Sequence, residues 1–151
     1  MLRKLIVAAL ASVLIAGGAF AQAKFGTADE AKAMLEKAVA AIKADKTKAL
    51  DMFLKGEGGF KDRDLYPFCF NISDGKVLVT QAKTLIGTDV KTIKDKSGKA
   101  FGEEMYKAAQ QEGKISEVSY MFPRPGETEP VQKISYVTRV GDVACGVGYH
   151  K

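Results

Sequence analysis

The sequence contains no tryptophan, only two cysteines, Cys69 and Cys145, and a single histidine, His150. These shortages exclude several kinds of site. A C-x-x-C-H haem-attachment motif is absent, and a His/Cys zinc site would need three or four ligands from only these three side chains. A Ser-His-Asp or Cys-His catalytic group would rely on a penultimate histidine, which we expect to be a frayed surface residue. We therefore predict no cofactor, no metal site and no enzymatic activity.

The sequence also lacks a basic block. Its 151 residues include 23 Lys and Arg and 18 Asp and Glu, which gives a net charge of +5. The positive side chains are spread along the chain, and no run of them resembles a nucleic-acid-binding patch. We therefore expect no nucleic-acid partner. After the N-terminal region, no stretch is apolar and long enough to span a membrane.

The one long apolar run lies at the N-terminus, in "MLRKLIVAALASVLIAGGAFAQA". Arg3 and Lys4 precede the apolar run, and small residues in two overlapping A-x-A patterns follow it. This order predicts a secretory signal peptide over residues 1–23, with cleavage after Ala21 or Ala23. An uncleaved membrane anchor is the alternative, although the run is shorter than the roughly 20 residues that span a bilayer. We expect residues 24–151 to form one soluble domain, periplasmic or secreted.

The first part of this domain has helical signals. Thr27 and Glu30 match a capping box, and apolar residues at helical spacing follow, which predicts a helix over residues 28–44. A second, shorter helix is expected to begin after Thr47 as its N-cap and to end at Gly56. A third helix is predicted over 101–112, with Gly113 as its stop.

The remaining segments have the alternation and the turn residues of strands. The predicted strands are residues 65–71, 76–80, 115–122, 131–139 and 143–149, and the connection 81–100 is expected to hold one or two short helices. This order predicts an α+β fold, in which one antiparallel sheet carries helices on its faces.

Read in order from residue 27 to the end, these segments resemble a single Cache domain, a PAS-like sensor module of the extracytoplasmic space. The resemblance implies a long N-terminal helix on one face of a five-stranded antiparallel sheet, with helical loops and a pocket for small carboxylates or other metabolites on the other face. The segments that are similar are "DLYPF", "LIGTD", "KDKSGKAF", the Tyr120-x-Phe122-Pro-x-Pro run, "EPVQKISYV" and "GVGYHK".

The resemblance has three departures. Most relatives form the outer part of chemoreceptors or sensor kinases, whereas we expect this chain to be a stand-alone, secreted form without a following membrane segment. Stand-alone relatives often have a His-Gly-x-Asn-Pro-like stretch where this chain reads "TQAKTLIG" over residues 80–87. Phe122 occupies a position where tryptophan is usual, so an indole donor is lost while an aromatic wall is kept.

Two cations in this region are candidates for binding an anion. Arg124 lies in a turn bounded by prolines and suits bidentate recognition of a carboxylate, although a surface arginine is the alternative. Lys133 lies on a predicted strand and is either solvated or turned inward, where a ligand anion would be its counter-charge. Tyr120 and Phe122 share a strand face by alternation and would be sheet core, pocket wall or both.

For other candidates the sequence leaves more than one direction or role open. Tyr136 is a candidate ligand-binding residue, but it has the opposite strand parity to Lys133, so without a bulge only one of the two can face a pocket. Phe68 belongs to an aromatic stripe with Tyr66 and Phe70 that is core or pocket floor. Cys69 and Cys145 lie on strands that are neighbours in the PAS-like order; a disulfide, two separate buried thiols and a metal or redox role all stay open.

The hypothesis from the sequence is a non-enzymatic, extracytoplasmic sensor that binds a small carboxylate-like metabolite and presents it to a membrane receptor, sensor kinase or transport partner, with chemotaxis as one setting. Arg124 and Lys133 would neutralise the anion, Tyr120 would donate a hydrogen bond, and Phe68 and Phe122 would form apolar walls. The alternative is a ligand-free interaction module that pairs through its N-terminal helix with a receptor or with itself as a homodimer.

Overall fold

The computed structural model describes residues 23–151, so the predicted signal peptide lies, apart from Ala23, outside the described residues. Three α-helices and five β-strands form the domain. The helices are α1 (Ala28–Ala44), α2 (Lys46–Lys55) and α3 (Phe101–Ala108), and the strands are β1 (Pro67–Asn71), β2 (Val77–Val79), β3 (Ser116–Pro123), β4 (Pro130–Val140) and β5 (Val143–His150). Two short 3₁₀ helices, Lys83–Leu85 and Val90–Thr92, lie in the connection between β2 and α3.

The five strands form one antiparallel sheet in the order β2-β1-β5-β4-β3. The last strand of the chain is therefore the central strand of the sheet. This arrangement confirms the predicted α+β fold, including the neighbouring positions of the first and last strands.

Helix α1 has the bounds that its sequence predicts. The hydroxyl of Thr27 accepts a hydrogen bond from the Glu30 backbone, and the Glu30 carboxylate accepts one from the Thr27 backbone N–H at 2.8 Å, so both halves of the capping box form. The apolar stripe of α1, including Leu35, Ala38 and Ile42, is buried against the sheet.

Two helix limits differ from the prediction. The N-cap of α2 is Asp45, whose carboxylate accepts a hydrogen bond from the Lys48 backbone N–H at 3.0 Å, and not Thr47. Asp45 also ends α1, so one residue serves both helices. Helix α3 ends at Ala108, before Gly113, and beyond it the Glu112 carboxylate accepts hydrogen bonds from the backbone N–H of Gly141.

The sheet separates two hydrophobic clusters. The cluster under α1 includes Val143, Val147 and a disulfide between Cys69 and Cys145, which are directly opposite each other on β1 and β5. The cluster on the other face packs Phe70 and Val137, among others, against α3. We call this second face, the one that meets α3, the inner face.

Glycines on β5 make space on the inner face. A Cβ atom on Gly148 would lie 2.4 Å from both Lys133 Cε and Ser135 Oγ, and one on Gly146 would lie 2.4 Å from Phe68 Cζ. Any larger residue at either position would therefore collide with the side chains above it. At Gly146 and Gly148 the central strand has no side chain on this face, and Phe68 of β1 and Lys133 and Ser135 of β4 lie across it there.

The disulfide is expected to contribute strongly to stability, because it closes a loop between residues separated by 76 positions. In the chain-entropy description, its loss lowers the free energy of unfolding by about 2–5 kcal/mol. Urea denaturation with and without reductant should show this loss as a lower midpoint in the reduced protein. The double variant Cys69→Ala/Cys145→Ala is the control and should be insensitive to reductant; a wild-type midpoint that reductant leaves unchanged would contradict the prediction.

Candidate functional site

A small cavity lies between the inner face of the sheet, α3 and the two 3₁₀ helices. The space open to the centre of a water molecule is about 40 Å³. Most of the wall is apolar, and Lys133 is the only charged residue that lines it within the described part of the chain. We call this space the inner cavity; its aromatic walls are Tyr66, Phe68, Phe70, Phe101, Tyr120 and Phe122.

Lys133 reaches this cavity from β4 and is only 1% exposed. Its Nζ donates a hydrogen bond to the Tyr66 hydroxyl at 3.2 Å. The ammonium also lies 4.4 Å from the ring centroid of Tyr66 and 5.5 Å from that of Phe122, within the range of cation–π attraction. Among residues 23–151, no carboxylate lies within 4.0 Å of this ammonium. A buried cation with no carboxylate partner is costly, so this arrangement favours an anion nearby.

The environment of Lys133 keeps it charged. Burial acts to lower the pKa of the Lys133 ammonium, while the oxygens of Tyr66 and Tyr120 and the Asp64 carboxylate act to raise it, and the net shift of the pKa is upward. The side chain is therefore a cation at neutral pH.

Tyr120 supplies a second polar group at the cavity. Its hydroxyl is 2.9 Å from Ser135 Oγ, and its ring stacks on that of Phe101 with centroids 4.1 Å apart. Burial is the main reason why the pKa of Tyr120 is raised above its usual value. The hydroxyl therefore keeps its proton and can act as a donor.

An unexpected pair lies behind Lys133. His150 is buried, not frayed, because β5 continues through it and pairs it with Lys133 on β4. A carboxylate can only accept, so His150 Nδ1–H donates to Asp64 Oδ2, at 2.8 Å. The other Asp64 oxygen accepts from the Gly26 backbone N–H at 2.7 Å. Asp64 thus ties the end of β5 to the segment that precedes α1.

Burial and the nearby Lys133 lower the pKa of His150, despite the opposing effect of Asp64. The imidazole is therefore neutral at pH 7. Its Nε2 is buried and has no hydrogen-bond partner within residues 23–151. The sequence prediction missed this pair because the two residues are 86 positions apart; the only signal was the single histidine itself.

Arg124 does not line the inner cavity. Its guanidinium lies over the Phe25 ring, with Cζ 4.1 Å from the ring centroid. Arg124 lines a larger cleft of about 530 Å³, which we call the outer cleft, and also a smaller one of about 150 Å³ beside Phe25. Tyr66, Leu85 and Phe122 line both the inner cavity and the outer cleft and form the boundary between them. Arg124 and Lys133 therefore belong to two adjoining compartments, and the expectation that both would line one cavity was wrong.

The other candidates divide between the two faces. Phe68 lines the inner cavity beside Gly146. Tyr136 points to the α1 side of the sheet, where its ring lies 6.1 Å from that of Tyr149. Its inclusion among the cavity residues was wrong, because β4 has no bulge between positions 133 and 136 and alternation sends the two side chains to opposite faces.

Within residues 23–151, no group of three or more His, Cys, Asp or Glu side chains is arranged to hold a metal ion. No helix in that range combines the length and apolar character needed to cross a bilayer.

Comparison with known families agrees with this architecture. A family model described as a Cache domain matches residues 27–151, nearly all of the described chain. The chain belongs to the Cache domain family. This confirms the resemblance seen in its sequence. Cache domains are sensory ligand-binding modules of the extracytoplasmic space, and this domain is one of them.

Solved structures of Cache domains share its fold. A methyl-accepting chemotaxis protein from Vibrio parahaemolyticus RIMD 2210633 is 23% identical, with a TM-score of 0.65 over 81% of this chain and 86% of that one. A periplasmic sensor domain of a chemotaxis protein is also 23% identical, with a TM-score of 0.61 over 81% and 88% of the two chains. A third structure, described as a Cache chemosensory domain that recognises carboxylic acid, is 25% identical, with a TM-score of 0.60 over 81% and 86%.

No curated protein sequence matches this chain significantly. The family model therefore provides the family assignment, and the solved structures show the shared fold.

The buried His150 predicts a dependence of stability on pH. The pKa of His150 is lower in the folded state than the value of about 6.5 expected for the unfolded chain. As the pH falls below about 6.5, the unfolded chain binds a proton first, so the folded state loses stability until its own histidine titrates. We expect a decrease of up to about 1.4 kcal/mol per pH unit in this window.

Urea unfolding between pH 7.5 and 5.5 would measure this decrease. The variant His150→Asn keeps a donor for Asp64 but does not titrate, so its stability should vary less over the same window. An equal slope in wild type and variant would exclude His150 as the source.

Proposed function

We propose that this domain is a non-enzymatic, extracytoplasmic sensor that binds a small carboxylate in the inner cavity. The observation that carries the proposal is the buried ammonium of Lys133, which has no carboxylate within 4.0 Å among residues 23–151. A bound carboxylate would provide the missing counter-charge.

The groups around the ammonium suit such an anion. The Tyr66 hydroxyl accepts a hydrogen bond from Lys133, so its own proton is free to be donated to a ligand oxygen. The Tyr120 hydroxyl, near Ser135, provides a further donor. Phe68, Phe101 and Phe122 would contact the carbon skeleton. Charge-assisted hydrogen bonds contribute about 1.5–3 kcal/mol each, so two of them with apolar contact support roughly micromolar to millimolar binding.

The size of the inner cavity limits what can bind beside Lys133. One water molecule needs about 10–15 Å³ of such volume, and the cavity offers about 40 Å³. This space holds about three or four non-hydrogen atoms, which is the size of a carboxyl group and at most one further carbon. The proposal therefore favours short acids, or longer acids of which only one end enters.

The relatives support a proposal for the setting of the protein. Two of the structures with this fold are domains of chemotaxis proteins, and a third is described as recognising carboxylic acid. We therefore propose a membrane-bound signalling or transport partner that reads the occupied domain. We assign no catalytic role to Asp64 and His150, because neither lines the inner cavity.

The alternative, a ligand-free module that pairs through α1, gains no support from the surface of α1. The large apolar side chains of this helix, such as Met34, Leu35 and Ile42, are buried against the sheet. The exposed large apolar residues of the described chain are Leu54, Ile86, Ile115 and Met121, which lie elsewhere. A homodimer through α1 stays a prediction.

Replacement of Lys133 tests the proposed function. Lys133→Met keeps the length and apolar stem of the side chain but removes its charge. We expect acetate and propionate to bind the wild type in isothermal titration calorimetry, and the variant to bind them at least about ten-fold more weakly. The thermal stability of the unliganded variant should be equal or higher, because a buried charge has been removed.

Lys107→Met is the matched control. It removes the same charge from the exposed surface of α3, where Lys107 pairs with Glu103 at 2.7 Å, and it should leave binding unchanged. The absence of binding by short monocarboxylates and by dicarboxylates alike, in the wild type, would reject the proposed function.

A further inference from the structure

The outer cleft contains a second cationic group whose hydrogen-bonding capacity is largely unused. Arg124 Nε is buried and has no hydrogen-bond partner within residues 23–151. The guanidinium makes one long hydrogen bond, from Nη2 to the Lys151 carbonyl at 3.4 Å, and its Nη1 lies 3.7 Å from a Glu127 oxygen. A guanidinium has five N–H donors, so most of them lack a protein partner in the described chain.

This guanidinium is nevertheless held in place. It stacks on the Phe25 ring at 4.1 Å, and its side chain is only 15% exposed. Pro123 and Pro125 restrict the backbone on both sides of it. A fixed planar cation with unused donors is well suited to bidentate recognition of a carboxylate.

The charges around the cleft favour an anion only moderately. Lys61 and Arg124 line it together with the carboxylate of Glu127, which leaves a surplus of one positive charge. The cleft adjoins the inner cavity, and Tyr66, Leu85 and Phe122 line both. A ligand that joins the two spaces would need to place its first carboxylate in the inner cavity and extend past these three side chains towards Arg124.

From this juxtaposition we propose a second anion subsite at Arg124 in the outer cleft, so that the domain prefers a dicarboxylate whose two ends occupy the two compartments. This inference rests on the proposed function, since it places the first carboxylate beside Lys133. It replaces the arrangement in which Arg124 and Lys133 bind one anionic group together.

Size-matched ligands test the proposal in the full-length mature protein. Succinate and monomethyl succinate differ in one carboxylate but have similar skeletons, and calorimetry would compare their affinities. Malonate and glutarate, each compared with its own monomethyl ester, would vary the distance between the charges. We expect at least one dicarboxylate to bind about ten-fold more tightly than its monomethyl ester. Equal affinities within all three pairs would overturn the proposal.

Two variants assign the preference to its residues. Arg124→Gln should remove most of the difference between diacid and ester while leaving the affinity for the ester unchanged. Glu127→Gln removes the competing carboxylate and should enlarge the difference. Thermal unfolding of each unliganded variant checks that it is folded. If the diacid preference persists in Arg124→Gln, the subsite at Arg124 is rejected.

The two proposals fail in different ways. If acetate, propionate or the monomethyl esters bind in a Lys133-dependent manner and no diacid gains affinity, only the second subsite is overturned. If no mono- or dicarboxylate binds, the proposed function itself fails, and the second subsite fails with it.

Discussion

The position of the Lys133 ammonium constrains the structure around it. A cation taken out of water must receive hydrogen bonds or opposing charge from its surroundings. Here the hydroxyl of Tyr66 accepts one hydrogen bond, and the faces of two aromatic rings supply part of the rest. The long side chain also needs room above the sheet, and the missing Cβ of Gly148 provides it. The buried charge of Lys133, the aromatic walls of the inner cavity and the glycines of β5 therefore depend on one another.

The face of the sheet under α1 contributes mainly to stability, and the inner face contains the candidate binding site. Under α1, buried apolar residues and the disulfide make a crosslinked layer. On the inner face, aromatic rings and a few hydroxyls leave a space partly unfilled. Because β5 contributes to both faces, its alternating residues are large or crosslinked on one side and small on the other, as in Cys145, Gly146, Val147 and Gly148. The packed face under α1 can thus stabilise the inner face, which contains the cavity.

Much of this fold could be predicted from short-range sequence patterns. The capping box and apolar spacing of α1 lie within residues 27–44, and strand alternation alone sends Lys133 and Tyr136 to opposite faces. The prediction failed where the deciding contacts are distant in sequence. Asp64 meets His150 only after β5 enters the sheet, and Arg124 turns towards Phe25 because the segment before α1 passes beside it. A turn sequence carries no information about such a neighbour.

The strand order has a consequence for the way the domain folds. β5 is both the last strand and the central one. Until it is present, one edge of β1 and one edge of β4 have no hydrogen-bonding partner. The sheet cannot form completely from a partial chain, because its central strand would be missing. Non-local pairing of this kind slows folding. A chain that folds slowly would suit export across a membrane, which the predicted signal peptide over residues 1–23 implies.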